Sequence, residues 1–508
     1  TALKLTLKDV KIDVSDTGSY RVEGKAALSV QGSGDVEIEL DGENELKSGF
    51  NRAGLEKTDF TFIGTPSTGM LTLKDDNQKA GSLKATGGQF GAGIGGVENG
   101  NGKNITINGG TVEATGGDFG AGIGGGFGGS GENITINGGT VTADGNDFGA
   151  GIGGGKERKG ENITITGGTV NAAGGIGGGE GGNGKNITIT GGTVTATNKE
   201  GGAGIGGGVM GNGEDITITG GTVNAAGGDY AAGIGGGNSG SGKNITITGG
   251  TVTAKGGVLG AGIGGGVVGS GTNITITGGT VTASGCGGAG IGGGIDGSGS
   301  NVTVSGAAQV TATAGKSNGY YGAGATIGNG GNYTNGENVD GEEIQADISG
   351  LITGYIHHII YEQDGTTIKK EWWEPERPQP KPENPQPNPE DPNAPAEESN
   401  EVDLGTPLLH VETLEGSLLP FDARQQGSTL RVTSNTLAAR LHGTRQALEA
   451  LREQGVEQIQ FVTSFKTTTL SVAELLAEGG SWFALEHDGL GSRRLSAAQA
   501  ESLKCWMH

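Results

Sequence analysis

Residues 104–132 read NITINGGTVEATGGDFGAGIGGGFGGSGE, and near-copies of this 29-residue stretch fill the middle of the chain. Its first residues alternate polar and apolar side chains, and after a Gly-Gly break Val112 and Ala114 alternate with polar neighbours. Apolar residues at every second position predict short β-strands with one buried face. A third short apolar element surrounds Ile123. Each copy therefore predicts about three short strands.

Repetition of this unit sets the architecture. Full copies begin at Asn104, Asn133, Asn162, Asn186, Asp215, Asn244 and Asn273, and a degenerate copy begins at Asn301. Three strands this short cannot bury a face alone, so successive copies must stack on one another. The sequence predicts an all-β parallel β-solenoid, a β-helix with one coil per copy and coils about 4.8 Å apart. We expect it to be right-handed.

One copy, residues 162–185, is shortened to NITITGGTVNAAGGIGGGEGGNGK. It keeps the three apolar elements and lacks five residues that correspond to TGGDF in its neighbours. A chain loses residues freely only where packing does not need them. The missing turn therefore marks one edge of every coil as dispensable for the core.

Composition and pattern divide the chain into five predicted segments. We expect irregular N-terminal β-helix coils or a cap in 1–81, the Gly-rich repeat β-helix in 82–337, a β-hairpin cap in 338–373, an acidic Pro-rich linker in 374–403, and a small α+β domain in 404–508. The linker contains nine of the 12 prolines. The last segment has alternating stretches and two amphipathic stretches that predict strands and helices.

Charge and composition exclude several classes of function. A net charge of −23 is opposite to what a protein that reads a nucleic-acid backbone needs. No apolar run approaches the length of a membrane span. The 113 glycines do not recur at every third residue, so collagen is excluded. The two cysteines, Cys286 and Cys505, form no disulfide framework.

Aromatic residues recur at one position of the repeat, in the TGGDF turn, and they are the candidate binding residues. They are Phe90, Phe119, Phe148 and Tyr230. Exposed rings can hold the faces of sugars, or they can fold back as a hydrophobic flap over the thin core. The flap is favoured because Leu259 replaces the ring in one coil. A flap predicts that Ile176 is exposed in the short coil, which has no ring.

Polar rows follow from the stacking of identical coils. The Asn of each NIT triplet is a formal glycosylation acceptor, but it is expected to form a ladder of amide hydrogen bonds with the next coil. The stretch GGSGENITI (128–136) resembles a calcium-binding nonapeptide, but Asn133 stands where the Asp ligand belongs. Outward threonines resemble ice-binding faces, although Glu113, Asn171 and Asn224 interrupt one row.

No catalytic residue, metal site or cofactor is predicted. A glycosidase needs two carboxylates across a cleft, whereas the acids of the repeat lie at turns that predict a solvated edge. These acids are Glu132, Glu161 and Glu214. Paired His357 and His358 lie on opposite faces of a predicted hairpin strand. In the last segment, His410, His442 and His487 are scattered along the sequence without a ligand motif.

The strings VEIELDGENELKSG and GAGIGGG followed by NITITGGTVTA resemble those of secreted or surface parallel β-helix repeat proteins of gut-dwelling Gram-positive bacteria. In that family a β-helix, often called a carbohydrate-binding domain, precedes a spacer and a C-terminal module. The resemblance covers roughly residues 28–337. It implies a secreted, cell-surface location and glycan binding, but it carries over no ligand residues.

Two functions from different classes fit these observations. The first is a non-enzymatic extracellular adhesin or rigid spacer, whose partner would be a polysaccharide or a host or bacterial surface. The second is a self-assembling filament subunit, whose partner would be another copy, because an open solenoid end can template strand pairing. A polysaccharide lyase or hydrolase is disfavoured because the repeats lack paired acids.

Overall fold

A computed structural model describes residues 2–59, 67–77, 79–317, 320–352, 354–362, 367–375, 409–414, 418–419, 421–434, 436, 438–453, 455–463, 466–488, 491–496 and 499–500. The chain forms two compact units, Thr1–Pro382 and Glu383–His508. The predicted Pro-rich linker lies outside the described residues from residue 376 onward. The predicted boundaries of the five segments stay predictions.

The first unit is a parallel β-solenoid of 29-residue coils, as the repeats predict. Each repeat adds one strand to each of three sheets. The strands of the first sheet are Leu3–Lys8, Val36–Lys47, Leu71–Lys74, Asn101–Ile107, Gly131–Ile136, Gly160–Ile165, Gly184–Ile189, Gly213–Ile218, Gly242–Ile247, Gly271–Ile276 and Gly299–Val304. Thr58–Asp59 pairs antiparallel with this sheet at Asn101 and Gly102.

The second sheet shares the long strand Val36–Lys47 with the first, because that strand turns the corner between them. Its strands are Lys11–Asp13, Val36–Lys47, Gly81–Thr86, Thr111–Thr115, Thr140–Asp144, Thr169–Ala173, Thr193–Thr197, Thr222–Ala226, Thr251–Lys255, Thr280–Ser284, Gln309–Thr313, Tyr355–Tyr361 and Ile368–Glu374.

The third sheet consists of two-residue strands. They are Leu28–Ser29, Leu55–Glu56, Ile94–Gly95, Ile123–Gly124, Ile152–Gly153, Ile176–Gly177, Ile205–Gly206, Ile234–Gly235, Ile263–Gly264, Ile291–Gly292 and Ile327–Gly328. The glycine of each full repeat lets neighbouring coils approach closely. Gly124 has φ +139°, and a Cβ there would lie 1.9 Å from the carbonyl oxygen of Gly153. Only glycine fits such a position.

Identical residues lie above one another along the solenoid. Ile134 pairs with Ile163 at a separation of 29 residues, and Ile163 pairs with Ile187 across the short copy at a separation of 24. The inward Ile, Val and Ala side chains of the repeats form one continuous core and are at most 3% exposed. The shortened copy therefore keeps the register of the core.

An antiparallel hairpin ends the second sheet. Tyr355–Tyr361 pairs in parallel with Gln309–Thr313, and Ile368–Glu374 then pairs antiparallel with Tyr355–Tyr361. The Asp-Gly dipeptide that predicts this hairpin lies outside the described residues. A second short hairpin joins Asn332–Thr334 to Glu337–Val339. The parallel ladder of the second sheet therefore stops at an antiparallel strand.

The described residues of the second unit form two sheets and include two short helices, in agreement with the predicted α+β class. The five-stranded sheet has the order Leu418–Leu419, Leu409–Glu412, Ala438–Thr444, Trp482–Asp488, Ser492–Leu495. The four-stranded sheet has the order Asp422–Gln426, Thr429–Thr433, Gln458–Val462, Thr467–Ser471. The helices are Arg445–Glu453 and Val472–Ala477, and Ser471 caps the second of them. Neither helix is long and apolar enough to cross a membrane.

Candidate functional site

The predicted aromatic row forms a stacked ladder on the turn between the second and third strands of each coil. Phe90 and Phe119 have ring centroids 5.2 Å apart, and so do Phe119 and Phe148, with nearly parallel planes in both pairs. Phe50 contacts Phe90 edge-on at 5.5 Å, and Phe127 packs at 5.6 Å from both Phe90 and Phe119. Within the ladder, each ring therefore lies against at least one other ring.

A cation covers the last ring of the ladder. The Lys156 ammonium lies 4.3 Å from the ring centroid of Phe148 and 3.4 Å from a carboxylate oxygen of Glu180. Such a cation–π contact stabilises by about 0.5–1 kcal/mol at an exposed site. Stacking of a sugar on this ring would therefore first have to displace Lys156.

Tyr230 does not join the ladder. Its side chain is 42% exposed, and the described residues give it no ring contact. Two coils separate it from Phe148: the short coil, which lacks the turn, and a coil whose turn carries Asn198 to Gly201. The structure thus brings together three of the four candidate residues and leaves the fourth as a single exposed ring.

The flap interpretation of the aromatic residues is wrong. Ile176, in the coil without a ring, is only 1% exposed. Two left-handed glycines, Gly174 at φ +94° and Gly175 at φ +82°, lead the chain directly from the second strand into the third and close the coil. The rings therefore pack on one another outside a core that is complete without them.

The missing turn leaves a notch of ≈ 150 Å³ in the side of the solenoid. Its floor is Ala173 and Gly174 of the short coil. Side chains of the two flanking coils form its walls: Asp144, Asn146, Asp147, Asn198, Lys199 and Glu200. Two of them are fixed by backbone contacts, since the amide of Asn146 donates to Gly116 and that of Asn198 donates to Gly174. The notch is the place where the translational repeat is broken.

The predicted asparagine ladder is confirmed. From Asn133 onward, each Asn amide nitrogen donates to the side-chain oxygen of the preceding coil, at 2.9 Å from Asn133 to Asn104 and 3.1 Å from Asn162 to Asn133. Asp215 has no amide donor, and Lys185 lies 3.8 Å from its carboxylate instead. The ladder residues share a left-handed backbone, φ +56° at Asn133, which asparagine tolerates better than most residues. That conformation is a constraint that the alternating pattern did not predict.

The acids that were predicted to lie at turns lie at the starts of first-sheet strands instead, and they pair with nearby lysines. Lys103 bridges Asp59 and Glu132 at 3.2 Å each, and Lys159 contacts Glu132 at 3.5 Å and also Glu161. The hydrogen bond to Glu161 raises the pKa of Lys159, and the carboxylate of Glu132 adds to this effect. These acids therefore form a charge ladder along an edge, and they do not face each other across a cleft.

The outer face of the second sheet is a regular array of small polar side chains. From Thr140 to Thr313, its outward positions in each coil are occupied mainly by Thr and Asn, with a single acid, Asp144, and a single lysine, Lys255. Register pairs such as Asn224 with Thr253 stack them directly. Hydroxyl and amide groups at fixed spacing can hydrogen-bond a polymer that repeats on a similar scale.

Two of the three described histidines of the second unit lie side by side in the fold, although they are scattered along the sequence. His410 and His442 lie directly opposite each other on adjacent antiparallel strands. Two residues further along the same pair of strands, Glu412 lies opposite Arg440. His487 lies elsewhere, with its two ring nitrogens 3.0 and 2.9 Å from the hydroxyls of Thr463 and Thr468. Sequence reasoning missed the pair because it could not supply the pairing of these strands. The patterns His-x-Glu and Arg-x-His would have been the signal.

A family model described as Beta helix repeat matches residues 105–127, 134–156, 187–209, 216–238, 245–267 and 274–295. Each matched stretch runs from the first strand of a coil to the turn after the third. The matched repeats all lie within the solenoid, so this part of the chain is similar to β-helix repeats in sequence and has the architecture of a β-helix. No curated protein and no solved structure matches the chain.

Proposed function

We propose that the solenoid is a non-enzymatic extracellular rod that serves as an adhesin or rigid spacer and presents the outer face of its second sheet to glycans. The observation that carries this proposal is the array of outward Thr and Asn residues between Thr140 and Thr313. Successive coils about 4.8 Å apart repeat these groups in register along one flat surface.

The chemistry of this face suits polysaccharides. Hydroxyl and amide groups both donate and accept hydrogen bonds, as sugar hydroxyls do. Few charges interrupt the array, so a neutral chain could lie along it without desolvating an ion. The Phe ladder is the weaker candidate, because the faces of Phe90 and Phe119 are covered by other rings.

The absence of catalysis is also part of the proposal. The acids at the edge of the first sheet are occupied by lysines, as Glu132 is by Lys103 and Lys159. In the described part of the solenoid they do not form the facing pair that glycoside hydrolysis needs.

Retention of the full chain on insoluble polysaccharides tests the glycan part. We expect the double variant Thr142→Lys, Thr253→Lys to weaken retention about tenfold or more, the effect of losing about 1.4 kcal/mol. The matched control is Thr135→Lys, Thr246→Lys, which places the same charges four coils apart on the outer face of the first sheet. Equal retention of both variants, or no retention of the unaltered chain on any polysaccharide, would refute glycan binding by this face.

Electron microscopy tests the rod against the filament. End-to-end stacking would have to continue the parallel ladders, but the second sheet ends in the antiparallel strand Ile368–Glu374. We therefore expect separate rods at all protein concentrations. Fibres that lengthen with concentration would support the filament instead.

A further inference from the structure

One face of the five-stranded sheet in the second unit carries ionisable side chains that are buried. His410, Glu412 and His442 are 4%, 5% and 1% exposed. They share a face because His410 and Glu412 are two residues apart on the strand Leu409–Glu412, and because His442 lies directly opposite His410 on the neighbouring strand. The other face carries Val411 and Leu441 and packs into the apolar core. Buried groups of this kind need partners or a bound ion.

The ligand atoms of the three side chains lie close together, at separations equal to or somewhat larger than those between the ligands of a bound metal ion. His410 Nε2 is 3.4 Å from Glu412 Oε2, and His442 Nδ1 is 3.7 Å from Glu412 Oε1. One ligand atom from each of the three residues lies within 4.8 Å of the others. Tetrahedral zinc with bonds of about 2.0–2.1 Å places its ligands about 3.3 Å apart.

The partners of His442 fix its tautomer. Its Nε2 lies 3.1 Å from the carbonyl oxygen of Ala500, and a carbonyl can only accept a hydrogen bond. Nε2 therefore carries a proton, which leaves Nδ1, on the Glu412 side of the ring, as the nitrogen available to a metal ion. Metal-binding histidines characteristically donate their second nitrogen to a carbonyl or carboxylate in this way.

Arg440 competes with an ion for the Glu412 carboxylate but shares its hydrogen bonds with other acceptors. Its guanidinium donates to Glu412 Oε1 at 2.6 Å, to Glu486 Oε1 at 3.0 and 2.8 Å, and to the carbonyl of Leu414 at 2.7 Å. Glu486 in turn accepts from Arg493. Arg440 forms an ion pair with Glu486 as well as with Glu412. Its hydrogen bond to Glu412 fixes the position of that carboxylate beside the histidines. The nearby arginine also lowers the affinity for a cation, so we expect moderate binding.

We propose that His410, Glu412 and His442 form a binding site for one divalent transition-metal ion, with Zn²⁺ as the expected ion. Two imidazoles and one carboxylate suit zinc and leave a fourth coordination position. The site is independent of the proposed glycan face. Without a metal, the same residues would form only a hydrogen-bonded structural network.

The full chain, treated with a chelator and dialysed, tests the site with Zn²⁺ and Co²⁺ as probes. We expect one ion per chain by elemental analysis and visible absorption bands of tetrahedral cobalt. His442→Gln should lower the affinity by more than the about 100-fold that loss of an outer-shell partner causes. His410→Asn should do the same. The control His357→Gln removes a histidine of the solenoid, where its ring bonds to Glu371, and should bind as the unaltered chain does.

Circular dichroism on each variant separates loss of the site from loss of the fold. A folded, unaltered chain that takes up no Zn²⁺ would overturn the proposal. A folded His442→Gln variant that binds Zn²⁺ with unchanged affinity would overturn it equally. If uptake is instead abolished by His357→Gln, the ion belongs to the solenoid, and the assignment to the second unit is wrong.

Discussion

Acidification should loosen the hairpin that ends the second sheet, and His358 is the residue responsible. Its ring is 3% exposed and stacks on Trp372 with centroids 4.4 Å apart. Nδ1 lies 2.5 Å from the Thr326 hydroxyl, whereas Nε2 has no hydrogen-bond partner and is 4.0 Å from Glu374. A second proton on this ring would therefore be buried without a close acceptor.

Burial lowers the pKa of His358 to about 4, and the nearby charges of His357 and Lys370 act in the same direction. The unfolded chain has the ordinary histidine pKa of about 6.5. Below that value the unfolded state binds the proton and the folded state does not. The contribution of His358 to the free energy of unfolding is therefore complete above pH 6.5 and is lost as the pH falls to about 4. The folded and unfolded pKa values of His358 differ by about 2.5, which corresponds to a loss of about 3 kcal/mol in the free energy of unfolding.

Glu374 acts in the opposite direction. Burial raises the pKa of its carboxyl, so the folded hairpin gains from protonation of this group as the pH falls. The net loss of stability should therefore be smaller than the contribution of His358 alone. Glu374→Gln removes this opposing effect, and the hairpin of that variant should lose more stability between pH 6.5 and 4 than the hairpin of the unaltered chain.

Hydrogen exchange of the amides in Tyr355–Tyr361 between pH 7 and pH 4 measures the effect, after correction for the intrinsic dependence of exchange on pH. We expect protection to fall in the unaltered chain and to depend much less on pH in His358→Gln. The amides of Gly242–Ile247, in the middle of the solenoid, provide the internal reference. Constant protection of the hairpin, or an unchanged pH dependence in His358→Gln, would refute burial of a neutral imidazole as the cause.

Five substitutions in three sets test the repeat itself, each measured by denaturant unfolding followed by circular dichroism. Asn133→Ala should destabilise the solenoid more than Asn133→Gly does. Both variants lose the exposed hydrogen bonds of the ladder, but only alanine is strained, by about 1–2 kcal/mol, at positive φ. Equal losses of stability would show that the left-handed backbone imposes no constraint. Gly124→Ala should disrupt the coil, since its Cβ would lie 1.9 Å from the carbonyl oxygen of Gly153, and native stability would contradict this close approach. Ile176→Ala and Ile152→Ala should each cost about 2–5 kcal/mol, and a negligible cost at Ile176 alone would mean that the short coil does not share the core.

Most of the solenoid could be predicted because its core is periodic at two levels. Alternation within a strand places Ile134 and Ile136 inside, and repetition at 29 residues places each of them on its counterpart in the next coil. Where the separation drops to 24, the apolar elements are unchanged and the register is preserved. Local pattern and long-range pairing therefore require the same structure, which is why the fold follows from the sequence.

The sites were less predictable because they depend on contacts between elements that share no pattern. The rings of Phe119 and Phe127 come from different turns of one coil, and nothing in the repeat shows that they touch. His410 and His442 are 32 residues apart in a unit without repeats, and only the pairing of their strands brings them together. In a periodic sequence the repeat length shows which residues pair between strands, whereas an irregular sequence does not show this.

The strict repeat also limits where a specific ligand could bind. Along the Thr and Asn face, most hydrogen-bonding groups recur in successive coils, so a polymer could bind in several registers but a small molecule would have no unique position. The notch beside Ala173 and Gly174 is different, because a particular set of side chains, including Asp147 and Lys199, surrounds it. Inserting TGGDF between Ala172 and Ala173 would fill the notch and place a Phe at the ladder position of the repeat without changing the core. If the polymer binds only through the flat face, this insertion should leave retention on polysaccharides unchanged, and a loss of retention would move the binding site to the notch.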